Sequence, residues 1–228
     1  MTSSRTPEWL IPTALITLTA IPMAGGALRL AELAGGEVTA DNARFFAAPL
    51  PVVVHILAAV AYCLVGAFQF APGFRGRRPA RHRALGRFLV PSGLLMGLSG
   101  LWMTLFYPWP AGDGTVLAAF RLVTGTATVL GLVLAVTAIR RRDVRRHRAW
   151  MIRAYAIAQG AGTQAVVTIA WVLAVGPATG MTRTLLLGAG WLINVAVAEW
   201  IIHRRPAGRT RTSPAPADAA VSGPASRA

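Results

Sequence analysis

Residues 116–139 read VLAAFRLVTGTATVLGLVLAVTAI, and residues 140–148 follow directly as RRRDVRRHR. The first stretch is long enough for an α-helix to cross the hydrocarbon core of a bilayer, which takes about 20 apolar residues. Its apolar residues occupy nearly every face of a helix rather than one stripe, which is typical of a helix buried in lipid. The arginines that come next indicate the membrane surface where the helix ends.

Five further stretches have the same length and character. The six predicted spans are 9–30, 50–71, 88–107, 116–139, 154–175 and 184–203. Proline, glycine and charged residues separate these spans, as expected of turns. Residues 1–205 therefore predict a single all-α domain, an integral membrane bundle of six transmembrane helices. The Pro-, Ala- and Ser-rich residues 206–228 predict a disordered tail.

Composition supports this fold class. The 228-residue chain is 54% hydrophobic and only 14% charged, yet its formal net charge is +15, and all 23 of its positive residues are arginine. A soluble domain normally carries about 25% charged residues, and a disordered basic chain would lack so many apolar side chains. A single cysteine, Cys63, excludes an intramolecular disulfide and a cysteine-based zinc site.

Nineteen of the 23 arginines lie on one side of the predicted bundle, in the links after spans two and four and at the two chain ends. Short loops rich in arginine stay in the cytoplasm, so both termini are predicted to be cytoplasmic. The same clusters predict attraction to anionic lipid headgroups, and no nucleic acid is needed to explain them. The four arginines on the other side are Arg29, Arg44, Arg121 and Arg183.

Ionisable and strongly polar residues inside apolar spans are costly, so they are candidates for function. His55 lies in the outer half of span two, and Arg121 lies at a similar depth in span four. Asn194 is near the middle of span six, and Glu199 is closer to its inner end. Each also has a structural interpretation, because Asn can bond neighbouring helices and Glu199 can pair with a juxtamembrane arginine.

Two histidines share a local pattern. His82 and His147 each occur in the tetrapeptide RHRA shortly before a predicted span, and a further arginine follows, Arg87 or Arg153. The two spans cross the membrane in the same direction, so the two histidines are expected at one depth near the cytoplasmic face.

Two histidines at one depth suit bis-histidine ligation of haem b or another metal centre, with His203 as a third candidate. The arginines near His82 and His147 match the geometry of haem propionates. The alternative is that these histidines simply contact headgroups where helices begin. For His55 no second outer histidine exists, and Met103 is the nearest other ligand by depth.

The pieces HRALGR at 82–87 and HRAWMIRAY at 147–155, in this order, are similar to an uncharacterised bacterial membrane family, domain of unknown function 2306. The segment GAFQF at 66–70 and the helix with Asn194 and Glu199 add to the resemblance, which covers about residues 50–203. It implies a multi-pass α-helical protein of the cell membrane and no established activity.

Two classes of function stay open. The first is a haem-binding protein for electron transfer with a membrane redox partner, or for assembly of a redox enzyme. The second is a non-redox membrane protein without a cofactor, either a small-solute transporter or a structural partner, in which His55, Arg121 and Asn194 line a cavity. Whether the chain is an enzyme is left undecided, since it contains no GxSxG, P-loop or HExxH motif.

Overall fold

The structure, a computed structural model, describes residues 9–71, 74 and 77–204. Every regular element among them is helical, which confirms the all-α fold class. The elements are α1 (Leu10–Gly35), α2 (Ala43–Ala47), α3 (Pro49–Val60), a π-helical turn (Ala61–Val65), α4 (Gly66–Phe68), α5 (Pro79–Phe106), α6 (Thr115–Arg140), α7 (Val144–Ala158), α8 (Gly160–Ala174) and α9 (Gly180–His203). The predicted tail, 206–228, lies outside the described residues.

Five segments of the described chain are long and apolar enough to cross a membrane. They are α1, the continuous helical run Pro49–Phe68, α5, α6 and α9. Helices α7 and α8 satisfy the same test together and form a sixth crossing if the pair, bent by 42° at its break, is one span. The multi-pass membrane architecture is therefore confirmed.

Two helices begin well before the spans predicted for them. Helix α5 begins at Pro79, whose fixed backbone angle suits the first helical turn. Helix α7 begins after Asp143, whose side-chain oxygen accepts a hydrogen bond from the backbone N–H of Arg146 at 2.9 Å. The predicted apolar spans therefore start inside helices, and His82 and His147 lie within the first turns of those helices.

Helix α5 packs between α3 and α6, and α6 packs in turn against α7. Helix α9 covers α7 and α8, while α1 lies against α8. Tyr62, Leu89, Leu132 and Tyr155 form the centre of the core. Gly93 is required there, because a Cβ atom at this position would come within 2.8 Å of both Leu132 and Tyr62.

Ion pairs show which helix ends lie together. Arg153 in α7 pairs with Glu199 near the end of α9, on the side that carries the arginine-rich segments, and we call this the arginine-rich end. Asp113 pairs with Arg183 where α6 and α9 begin, and we call this the opposite end. That the arginine-rich end faces the cytoplasm stays a prediction.

Candidate functional site

A cavity of about 570 Å³ lies in the half of the bundle nearer the opposite end. Its walls come from α1, α3, α5, α6, α8 and α9 and are mainly apolar. This volume is within the range of roughly 300–1,000 Å³ that is usual for small-molecule and cofactor pockets. The charged or strongly polar side chains that reach it are Arg44, His55, Arg121, Gln164 and Arg183.

Two arginines pair with one carboxylate beside this cavity, and a third arginine lines the cavity as well. The side chain of Asp113 is 2% exposed; one of its oxygens pairs with Arg183, and the other lies 2.8 Å from Nη1 of Arg121. The third arginine, Arg44, lies over the ring of Phe45 at 4.4 Å. We call Arg44, Arg121 and Arg183 the arginine mouth; Asp113 and Asp41 are the carboxylates that act on it, so three positive charges face two negative ones.

The charged form of Arg44 is disfavoured at this position. Partial burial, followed by the like charge of Arg29, lowers the pKa of Arg44 below its ordinary value. Both causes disfavour the charged form, but a guanidinium remains protonated in proteins. The carboxylates of Asp113 and Asp41 act in the opposite direction, and an anion placed beside Arg44 would add to their effect.

The arginine mouth contains three of the four arginines that depart from the one-sided arginine distribution. The fourth, Arg29, lies over the same Phe45 ring at 4.4 Å and pairs with Glu32. Reasoning from the sequence had selected only Arg121. The signal that would have found Arg44 and Arg183 was available, because an arginine on the wrong side for topology needs another explanation.

His55 is held in a defined orientation on the cavity wall. Its Nδ1 lies 2.9 Å from the carbonyl oxygen of Met96 and 3.3 Å from Oγ of Ser99. Because a carbonyl can only accept, Nδ1 carries the proton and Nε2 keeps its lone pair. Within the described part of the chain Nε2 has no hydrogen-bond partner. Gly100 leaves room for the ring, since a Cβ there would lie 3.3 Å from Cε1.

Asn194 does not line the cavity, so the expectation that it would do so with His55 and Arg121 is wrong. Its Oδ1 accepts from the hydroxyl of Thr163 at 2.8 Å, and its Nδ2 donates to the carbonyl of Ala156 at 3.0 Å. The amide therefore joins α9 to α7 and α8. Hydrogen bonds of this kind between helices satisfy polar groups within the membrane.

Glu199 contacts two of the residues predicted as haem partners at the arginine-rich end. Arg153 donates from Nε and Nη2 to the two carboxylate oxygens at 2.6 and 2.8 Å. His203 places Nε2 3.3 Å from the second oxygen. Arg87, the other arginine expected near the haem, is exposed on α5.

His82 and His147 lie on helices that both pack against α6. Nδ1 of His147 is 2.9 Å from the carbonyl of Ala135 on α6, and the backbone carbonyl of His82 accepts from Nε2 of Gln69 at 3.5 Å. No group of three His, Cys, Asp or Glu residues that suits a metal ion occurs in 9–71, 74 and 77–204. Ligation of haem or a metal by the two histidines stays a prediction.

A family model described as a predicted membrane protein, DUF2306, matches residues 52–202. This segment contains His55, Arg121 and Arg183, whereas Arg44 and α1 precede it. No curated protein and no solved structure matches the chain with significance.

Proposed function

The chain belongs to this family of predicted membrane proteins, DUF2306, and we propose that it binds a small amphiphilic anion in the cavity at the opposite end. The ligand combines a carboxylate or phosphate head with an apolar body. The observation that carries the proposal is the arginine mouth, whose Arg121 and Arg183 pair with Asp113 beside an otherwise apolar cavity.

The charges favour an anion over other ligands. Guanidinium groups match carboxylate and phosphate oxygens in a planar, two-pronged geometry, and such charge-assisted hydrogen bonds are the strong ones. Asp113 and Asp41 offset two of the three arginine charges, and the remaining positive charge attracts an anion and repels a cation. The apolar walls below the mouth suit a hydrocarbon body, whose burial adds roughly 25 cal/mol per Å².

Binding of hexyl phosphate and hexanoate to the purified protein, measured by calorimetry, tests the proposal. Hexan-1-ol is the neutral control with the same chain. We expect Arg121→Gln to weaken hexyl phosphate binding about tenfold or more, since a hydrogen bond to a charged group contributes roughly 1.5–3 kcal/mol. Arg140→Gln, at an exposed arginine of the arginine-rich end, should leave the affinity unchanged.

Two results would contradict the proposal. Hexan-1-ol binding as tightly as hexyl phosphate would show that the arginines contribute nothing to recognition. Equal weakening by Arg121→Gln and Arg140→Gln would show a general effect of lost charge rather than a site.

Haem b ligated by His82 and His147 at the arginine-rich end is a second proposal, which would make the chain a partner in membrane electron transfer or redox-enzyme assembly. It is supported by the bond from Nδ1 of His147 to the carbonyl of Ala135, since a ligating histidine usually fixes its other ring nitrogen in this way. A Soret band after haem-replete expression that disappears in His147→Gln would support it.

A further inference from the structure

We propose that the cavity at the opposite end is a haem b site, with His55 as an axial ligand of the iron and the arginine mouth at the propionates. This assignment rests on the proposed function and names its ligand, because haem b is an amphiphilic anion with an apolar ring and two carboxylates at one edge. The site is separate from the one considered at His82 and His147.

His55 has the arrangement of a metal-ligating histidine. Its Nδ1–H is directed to the carbonyl of Met96, which fixes the tautomer, fixes the ring and leaves Nε2 as the ligand nitrogen. Neutral imidazole is a common ligand of haem iron, and one histidine is sufficient in five-coordinate haem proteins. The ring lies on the wall of the cavity of about 570 Å³, which has space for a ligand beside it.

The arginine mouth and His55 line the same cavity. A single ligand that fills it can therefore offer carboxylates to the arginines and a metal to His55.

The walls between these two groups suit a porphyrin. Three methionines and a leucine contribute apolar, adaptable surface, namely Met23, Met96, Met103 and Leu117. Met103, selected from the sequence as the residue closest in depth to His55, thus shares the cavity with it. A bare metal cation does not suit the site, since the arginine mouth would repel it, whereas the propionates supply the opposite charge.

The arginine-rich end lacks this combination. Arg153 and His203, the residues expected to assist a haem there, both contact Glu199. At the opposite end, a cavity, an oriented ring nitrogen and surplus positive charge occur together. These three features support haem at His55, and the spectra of the histidine variants decide between this site and the one at His82 and His147.

Loading the purified protein with hemin, with each histidine replaced in turn, tests the assignment. The wild-type protein, His82→Gln and His147→Gln should show a Soret band in the visible spectrum, and His55→Gln should lose or shift it. Added imidazole should restore the band in His55→Gly, because it fills the space of the missing ring. Arg121→Gln should weaken hemin binding about tenfold without removing the band at saturation.

Hexyl phosphate binding distinguishes a failure of the haem assignment from a failure of the proposed anion binding. If the wild-type protein binds hexyl phosphate but shows no Soret band, the haem assignment is overturned and anion binding stands. If it binds neither, both are overturned. A band that survives in His55→Gln and disappears in His147→Gln would place haem at the arginine-rich end. Retained hexyl phosphate affinity in His55→Gln shows that the variant is folded, so that a lost band reports the ligand.

Discussion

At the scale of single residues, Asp113 is the counter-charge that lets two arginines of the arginine mouth lie close together. Arg121 and Arg183 extend toward each other from two different helices, and both reach the same buried carboxylate. Without it, two half-buried guanidinium groups would repel each other in a medium of low dielectric constant. Asp113 therefore explains how Arg121 can occupy a membrane-spanning helix.

We expect Asp113→Asn to lower the free energy of unfolding by about 2 kcal/mol. This value lies between the small cost of breaking an exposed ion pair and the larger cost of breaking a buried one. The cause is the loss of the counter-charge shared by Arg121 and Arg183. Denaturant unfolding in detergent, followed by tryptophan fluorescence, measures the change. Glu37→Gln is the matched control, since Glu37 is exposed and forms no ion pair among the described residues. Equal stability of the two variants would contradict this role.

At the scale of helices, α1 and α8 approach so closely that only glycine fits between them. A Cβ atom at Gly162 would lie 2.2 Å from the carbonyl oxygen of Leu18, a backbone atom that cannot rotate away. Small residues at helix contacts are expected in membranes, where close packing replaces much of the hydrophobic driving force. This contact helps hold α1 as one wall of the cavity.

We expect Gly162→Ala to destabilise the protein by about 1–3 kcal/mol, the usual cost of overpacking, because α1 must move away from α8. Gly25→Ala is the matched control, since a Cβ at Gly25 meets no atom within 4 Å. Alanine is the better helix former, so the control should be neutral or slightly stabilising. Thermal unfolding in detergent compares the two variants, and a neutral Gly162→Ala would disprove the close contact.

The early starts of α5 and α7 show what periodicity misses in a helix. The apolar run marks the part that lies in the membrane, but hydrogen bonding continues into the polar segment until a residue stops it. Pro79 and Asp143 are the signals for those starts, and both are visible in the sequence. The break at Gln159 has a signal too, since Gly160 and Gly162 follow it and glycine is a poor helix former.

At the scale of the whole molecule, arginine distribution predicts that the arginine-rich end is cytoplasmic. Single cysteines introduced as Glu37→Cys and Arg141→Cys in a Cys63→Ser background would test this. In intact cells a membrane-impermeant maleimide should label the first position only, and after permeabilisation it should label both. Labelling of Arg141→Cys in intact cells would reverse the orientation. The background is mild, because Cys63 is buried and forms no disulfide.

The sequence alone determined that this protein is an all-α, multi-pass membrane protein of the DUF2306 family. Length and hydropathy suffice for this, because each span satisfies its own backbone hydrogen bonds and meets lipid independently of its neighbours. Residue counts along the spans also predict that His55 and Arg121 lie at a similar depth, and both residues line the cavity.

The tertiary structure alone decided which polar groups meet. Arg44, Arg121 and Arg183 come from three separate helices and line one cavity. Asn194 instead forms a hydrogen bond to a neighbouring helix. Position along a helix follows from residue count, but the direction in which a side chain points depends on helix rotation and on the neighbours. In a chain that is apolar on nearly every face, no stripe of polar residues reveals that rotation, so only packing determines it.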